Sequence, residues 1–221
     1  MHPHAPENLV HIAAEGVAME GVLAIPPAAS GVVLFAHGSG SSRHSPRNNF
    51  VAEVLRKSGL ATLLIDLLTG SEDLDYAARF DIALLTRRLL AATSWLQGHP
   101  ASARLALGYF GASTGAAAAL RAAATAGNTV AAVVSRGGRP DLAGPVALRS
   151  VRAPTLLIVG GQDEEVIALN RQAYALMECE RTLEIVPGAT HLFEEPGTLE
   201  QVAALAARWF GKHLAPTSGR G

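Results

Sequence analysis

Ser113 stands between glycines in the stretch Gly111-Ala112-Ser113-Thr114-Gly115, a G-x-S-x-G pattern in a chain of 221 residues. The run before it, residues 104–111, reads as a buried strand, and residues 114–126 read as an Ala-rich helix closed by Gly127. Where a strand turns directly into a helix, this pattern puts the serine on a strained turn, its hydroxyl pushed into a cleft. Glycine is needed two residues to either side because strand and helix nearly touch there. The chemistry this suits is nucleophilic attack on an acyl carbon. A serine hydroxyl does that only when a histidine takes its proton, and the histidine must itself be oriented by a carboxylate.

Both partners are expected beyond the serine, in the order acid then histidine, each in a loop at a strand end. Asp163 follows the apolar run of LLIVGGQDEEV, 50 positions after Ser113, behind two glycines that loosen the turn. It also fits as the cap of the next helix. Glu164 and Glu165 are alternatives, but they read as first-turn acids favoured by the helix dipole. His191, in LEIVPGATHLF, comes 28 positions after Asp163, past the last strand-like run and a Pro-Gly turn. Of the eight histidines it alone lies in the loop after that strand; His213 is near the tail.

An oxyanion needs preorganised N–H donors. The loop HGSGSS, residues 37–42, offers them after an earlier buried run, GVVLFAHG. The N–H of Ser39 is the expected donor, with Gly38 and Gly40 as rivals, paired with the N–H of Thr114. His37 reads as a loop anchor rather than a base, and Ser39, Ser41 and Ser42 as loop serines. Arg136 and Arg139 flank Gly137-Gly138 at another strand end, where either suits a substrate carboxylate. The competing reading is a salt bridge to Asp141. Arg43 and Arg47 read as surface residues. The acids of LLTGSEDLD read as a solvated turn and helix start, or as one side of the cleft.

These positions require an α/β architecture. Residues 9–14 and 17–25 form an antiparallel hairpin around Glu15-Gly16. Strands are expected at 31–38, 61–68, 104–111, 129–136, 154–161 and 182–188. Helices fall between them at 48–59, 75–98, 114–126, 166–177 and 199–213. Buried strands separated by helices imply a mostly parallel central sheet of about eight strands with helices on both faces. The stretch between the strands ending at 136 and beginning at 154 is too short for a lid domain. One domain is expected over 1–214, with a flexible tail at 215–221.

The chain is 49% hydrophobic, with 18 basic and 19 acidic residues, a balance that leaves no electrostatic footprint for nucleic acid or an anionic membrane. No run is long enough to cross a bilayer, and MHPHAPENLV lacks the features of a signal peptide, so a cytoplasmic protein is expected. A single cysteine, Cys179, excludes an internal disulfide and a Cys-based zinc site. No G-K-[ST] or complete G-x-G-x-x-G is present, which sets nucleotide binding aside.

With HGSGSS, GASTG, GGQD and GATH occurring in that order, the chain resembles the α/β-hydrolase superfamily over essentially its whole length. Within it the chain is similar to the small, lidless, dienelactone-hydrolase-like group. The stretches GYFGASTGAAAAL, IDLLT and SRGGRPDLA resemble bacterial hydrolase domains that stand alone or are fused to phosphoribosyltransferases. The resemblance implies the α/β-hydrolase fold and a Ser113–His191–Asp163 triad. Dienelactone hydrolases carry cysteine at the elbow and a glutamate in the oxyanion loop; this chain has Ser113 and no such glutamate. The implied activity is therefore that of a serine esterase on a small, soluble ester, with no cofactor or metal, as a monomer or homodimer. An acyltransferase or perhydrolase on the same triad, or a catalytically silent binding protein, are the alternatives.

Overall fold

A computed structural model describes residues 6–215. The tail expected to be flexible, 215–221, lies outside the described residues apart from Ala215. The described residues form an eight-stranded sheet in the order β1-β2-β4-β3-β5-β6-β7-β8. Its strands are β1 (Glu7–Ala14), β2 (Val17–Ala24), β3 (Gly31–Ala36), β4 (Ala61–Ile65), β5 (Ala106–Ala112), β6 (Val130–Arg136), β7 (Thr155–Gly160) and β8 (Arg181–Val186). The β1–β2 hairpin and the β2–β4 pair are antiparallel, and the other pairs are parallel. Glu15 and Gly16, both at positive φ, close the hairpin in the two-residue turn whose twist suits paired strands.

Strands β3, β4 and β7 are buried at every residue, as parallel strands covered on both faces must be. One face packs under α1 (Pro46–Lys57) and α6 (Thr198–His213), around Phe35, Phe110, Leu55 and Phe210. The other face carries α2 (Ile82–Gly98), α3 (Thr114–Ala126), α4 (Pro145–Ser150) and α5 (Glu164–Leu176). Helix α3 is alanine-rich and buries Ala116, Ala117, Ala118, Ala119, Ala122 and Ala123. Small side chains let its axis lie close to the sheet beneath Ser113. Between β6 and β7 the chain makes a 3₁₀ turn, Pro140–Ala143, and the six-residue α4, with no inserted lid.

Among the expected elements that come out shorter, two change the most. Strand β4 stops at Ile65, where Asp66 instead receives the Arg43 backbone N–H and guanidinium. The helix expected over 75–98 begins at Ile82, because the Asp81 carboxylate accepts the Leu84 N–H at 2.9 Å and caps it there. Residues 69–81 instead make two 3₁₀ turns, Glu72–Leu74 and Ala78–Phe80. Their polar side chains grip one another and the local backbone: Glu72 accepts from the Thr69 N–H at 2.8 Å and from Arg88 at 2.8 Å, and Arg79 is paired with Asp73 at 3.0 Å. Such bonds compete with helix formation. The parallel arrangement brings the C-terminal ends of β3, β5, β6, β7 and β8 to one edge, where loops converge.

Candidate active site

Ser113 has φ 50 and ψ −121, a conformation that costs a non-glycine residue about 1–3 kcal/mol and persists only where neighbours enforce it. They do. Its N–H donates to the Arg136 carbonyl at 3.2 Å, and its own carbonyl accepts the N–H groups of Ala116 and Arg139, each at 3.1 Å. The two motif glycines serve different contacts. A Cβ on Gly111 would lie 2.4 Å from Ala116 Cα of the helix that follows. A Cβ on Gly115 would lie 2.2 Å from the Ala36 carbonyl oxygen, so this glycine fits α3 against the end of β3 rather than against its own strand.

Asp163 occupies the capping position of α5, yet its side chain makes no capping bond. Its Oδ2 is instead 2.6 Å from His191 Nδ1, while Glu164 and Glu165 occupy the first turn of the helix. A carboxylate only accepts at neutral pH, so Nδ1 carries the proton and Nε2 is left as the base. The loop bearing His191 is tied down at several points. Gln162 donates its backbone N–H to the Ala189 carbonyl at 2.9 Å, and Glu195 receives the Thr190 hydroxyl at 2.6 Å and its N–H at 3.0 Å. A Cβ on Gly160 would meet the carbonyl oxygens of Ala189 and Thr190 at 2.5 Å. The first glycine ahead of Asp163 thus admits the His191 loop, a tighter role than loosening the turn.

The loop after β3 is anchored by His37. The Leu67 N–H donates to His37 Nε2 at 3.0 Å, which places the proton on Nδ1, 2.9 Å from the Gly38 carbonyl. Burial holds the His37 pKa below the ordinary histidine range, so the ring stays neutral and its tautomer is fixed. With the Gly38 carbonyl also accepting the Ser41 N–H at 3.2 Å, the Gly38–Ser39 peptide is pinned. The Ser39 N–H points at Thr114 and donates to its Oγ1 at 2.9 Å. The two expected oxyanion donors therefore lie side by side, but one of them is engaged by the side chain of the other residue. Thr114 opens α3, where backbone N–H groups have no carbonyl a turn behind them. Gly40, at φ 66, faces Arg79.

Ser113 and His191 line one cavity of about 230 Å³, together with Gly38, Ser39, Arg47 and Arg136. Among the described residues no hydrogen bond joins the Ser113 hydroxyl to His191; the two meet across this space. Of the two arginines near Gly137-Gly138, Arg136 lines the cavity, whereas Arg139 forms a two-point ion pair with Asp141, at 2.9 and 2.8 Å. Arg139 is thus held by its neighbour, the competing reading. Arg47, expected on the surface, instead lines the cavity; it is the second residue of α1, the helix that follows the loop after β3. Arg43 is likewise half-buried, bridging Glu20 and Asp66. Segment 69–81 adjoins the far side of the loop after β3, where Asp73 and Arg79 lie beside a small crevice shared with Gly38, Ser39 and Thr114. No described helix is long and apolar enough to cross a membrane.

The model of the dienelactone hydrolase family matches residues 19–213. Curated proteins from two strains of Mycobacterium tuberculosis, provisionally named phosphoribosyl transferases, are 58% identical over 212 residues, which is 96% of this chain and 48% of theirs. The chain therefore spans about half the length of these relatives. The crystal structure of a dienelactone hydrolase from Anabaena variabilis is 57% identical, with a TM-score of 0.92 over 96% of this chain and 99% of that one. Est1E from Butyrivibrio proteoclasticus shares the fold at 17% identity, with a TM-score of 0.80 over 93% of this chain and 98% of its own.

Proposed function

We propose, because this chain belongs to the dienelactone hydrolase family, that it is a hydrolase cleaving carboxylic esters of small, soluble substrates through an acyl-enzyme on Ser113. The observation that carries the reading is the strained serine sharing its cavity with a histidine whose other ring nitrogen is held by Asp163 at 2.6 Å.

In this mechanism His191 Nε2 takes the Ser113 proton as Oγ bonds to the ester carbon. The carbonyl π pair moves onto oxygen, to which the Thr114 N–H donates, joined by the Ser39 N–H as it releases Thr114 Oγ1. Asp163 keeps His191 oriented and stabilises the imidazolium that forms. Collapse of the tetrahedral intermediate breaks the bond to the alcohol oxygen, which leaves with the proton from His191. Water then repeats the sequence on the acyl-enzyme, with His191 first as base and then as acid. No metal or organic cofactor enters these steps. The short β6–β7 connection and the modest cavity favour soluble esters over lipid aggregates.

The test is hydrolysis of a p-nitrophenyl ester series by the wild type and Ser113→Ala, with mass-spectrometric mapping of a fluorophosphonate probe. Activity lost in the variant and a label on Ser113 are expected. Absence of both in the wild type would leave a ligand-binding protein on a hydrolase fold. Faster product formation with added alcohol, appearing as a new ester, would redirect the assignment to acyl transfer.

A further inference from the structure

Helix α5 buries Val166, Asn170 and Ala173, an i, i+4, i+7 stripe along one face, and Asn170 is its polar member. The residue is fully buried, with 0% of its surface exposed. Its Nδ2 donates to the Val166 carbonyl at 2.8 Å and, across space, to the Gly138 carbonyl at 3.0 Å. Its Oδ1 has no partner among the described residues. A buried amide left half-paired costs stability, and a leucine of similar volume would not bear that cost. Packing alone does not account for an asparagine at this position. The bond to Gly138 does.

That bond reaches the nucleophile through a single peptide unit. The Gly138 carbonyl and the Arg139 N–H belong to one planar peptide, and the Arg139 N–H donates to the Ser113 carbonyl at 3.1 Å. A peptide that accepts at its oxygen is polarised into a stronger donor at its N–H. The Ser113 carbonyl is also held by the Ala116 N–H of α3, at 3.1 Å. One of the two bonds that fix this carbonyl, in a residue at φ 50 and ψ −121, thus comes from the 138–139 peptide. The loop itself is tightly confined. A Cβ on Gly138 would strike Ser135 Oγ and Ala116 Cβ, and one on Gly137, at φ 50, would lie 3.1 Å from the His191 carbonyl oxygen. The Gly137 N–H donates to the Ile158 carbonyl at 2.8 Å. Residues 137–139 are wedged between the elbow and the His191 loop, and Asn170 ties them to α5.

We propose that Asn170 is a positioning residue for the nucleophile: acting through the Gly138–Arg139 peptide, it holds the Ser113 turn in the geometry from which the hydroxyl attacks. Helix α5 then sets both partners of the reaction, His191 through Asp163 at its head and Ser113 through Asn170 seven residues on. The effect on turnover rests on the esterase reading above; the grip on the elbow backbone does not.

Two measurements on Asn170→Leu test it, with Ala173→Gly as the control that weakens the same face of α5 and keeps the amide. The first is steady-state hydrolysis of p-nitrophenyl butyrate, well below the melting temperature of each protein. Asn170→Leu is expected to lower kcat about tenfold or more while KM changes less than about twofold, as when an attacking group is misplaced. Ala173→Gly is expected to lower the melting temperature and leave kcat within about twofold of the wild type. The second is hydrogen exchange of the backbone amides followed by NMR, which needs no turnover. The Arg139 amide is expected to be protected in the wild type and to exchange at least about tenfold faster in Asn170→Leu than in Ala173→Gly. A loss of kcat matched by Ala173→Gly overturns the positioning role. Lost kcat with unchanged Arg139 exchange overturns the route through the peptide. Faster exchange with unchanged kcat overturns the role in turnover. If Asn170→Leu does not fold, Asn170→Ala replaces it, and a wild-type Arg139 amide that exchanges like an unbonded one overturns the proposal without any variant. A wild type that cleaves no ester overturns the esterase reading and the role in turnover with it, while the exchange rates still decide whether Asn170 holds the turn.

Discussion

Asp163 stands at the head of α5 without capping it; its carboxylate instead receives the Nδ1–H of His191 at 2.6 Å. The residue can therefore be altered without removing a helix cap. Asp163→Asn is expected to lower kcat by about 10⁴ by favouring the wrong His191 tautomer. Its melting temperature should stay within a few degrees of the wild type, because no cap is lost. Steady-state kinetics and a thermal melt on the same sample check both halves.

Gly115 and Gly98 give opposite expectations for the same substitution. A methyl at Gly115 would sit 2.2 Å from the Ala36 carbonyl and 2.4 Å from the His37 carbonyl, both backbone atoms that cannot swing away. Gly115→Ala should cost about 3 kcal/mol or more, or yield no soluble protein. Gly98 is the last residue of α2, and a methyl there would meet nothing within 4 Å. Gly98→Ala should be neutral or stabilising by up to about 1 kcal/mol. Urea unfolding of the pair measures the contrast.

Thr114 contributes a hydroxyl that holds the Ser39 N–H at 2.9 Å. Thr114→Val keeps the volume and the Thr114 backbone donor but releases that N–H. Losing one neutral hydrogen bond that orders the loop is expected to lower kcat about three- to tenfold with a smaller change in KM. A rise in kcat would instead mean that the hydroxyl competes with the oxyanion for Ser39.

His37 links the loop after β3 to pH. Its pKa in the folded protein lies below the ordinary value of 6.5, because burial disfavours the charged ring. Below 6.5 the unfolded chain takes up the proton more readily than the folded one, so this contribution to stability is complete above 6.5 and is lost as pH falls through the folded value. His37→Gln keeps an acceptor for the Leu67 N–H but does not titrate. Melting temperatures measured from about pH 5 to 7.5 should fall less steeply on acidification in the variant than in the wild type.

Much of this architecture is legible in the sequence because parallel strands buried on both faces read as continuous apolar runs, and each candidate side chain follows one. Motif and order single out Ser113, Asp163 and His191, and they arrive in neighbouring loops at one edge of the sheet. What is not legible is decided by polar side chains acting across space. The 75–98 pattern is apolar enough for one long helix, but Asp81, Glu72 and Asp73 bind local partners and delay its start to Ile82. The choice between Arg136 and Arg139 is equally hidden, since only the fold turns one towards Asp141 and leaves the other buried with no carboxylate partner among the described residues. Arg47 reads as a surface residue ahead of the helix expected from residue 48; α1 instead starts at Pro46, and its first turn puts Arg47 on the cavity wall.

The sheet places Ser113 after a central strand and His191 after β8, which among the described residues is an edge strand paired with β7 alone and is mostly half-exposed. Edge elements with little burial open at lower free energy than the interior. Heat or mild denaturant is therefore expected to silence the protein by detaching His191 while the strand that leads to Ser113 remains folded. The inactivation temperature should lie below the global melting temperature. Changes that strengthen the β7–β8 pairing should raise the former while barely moving the latter.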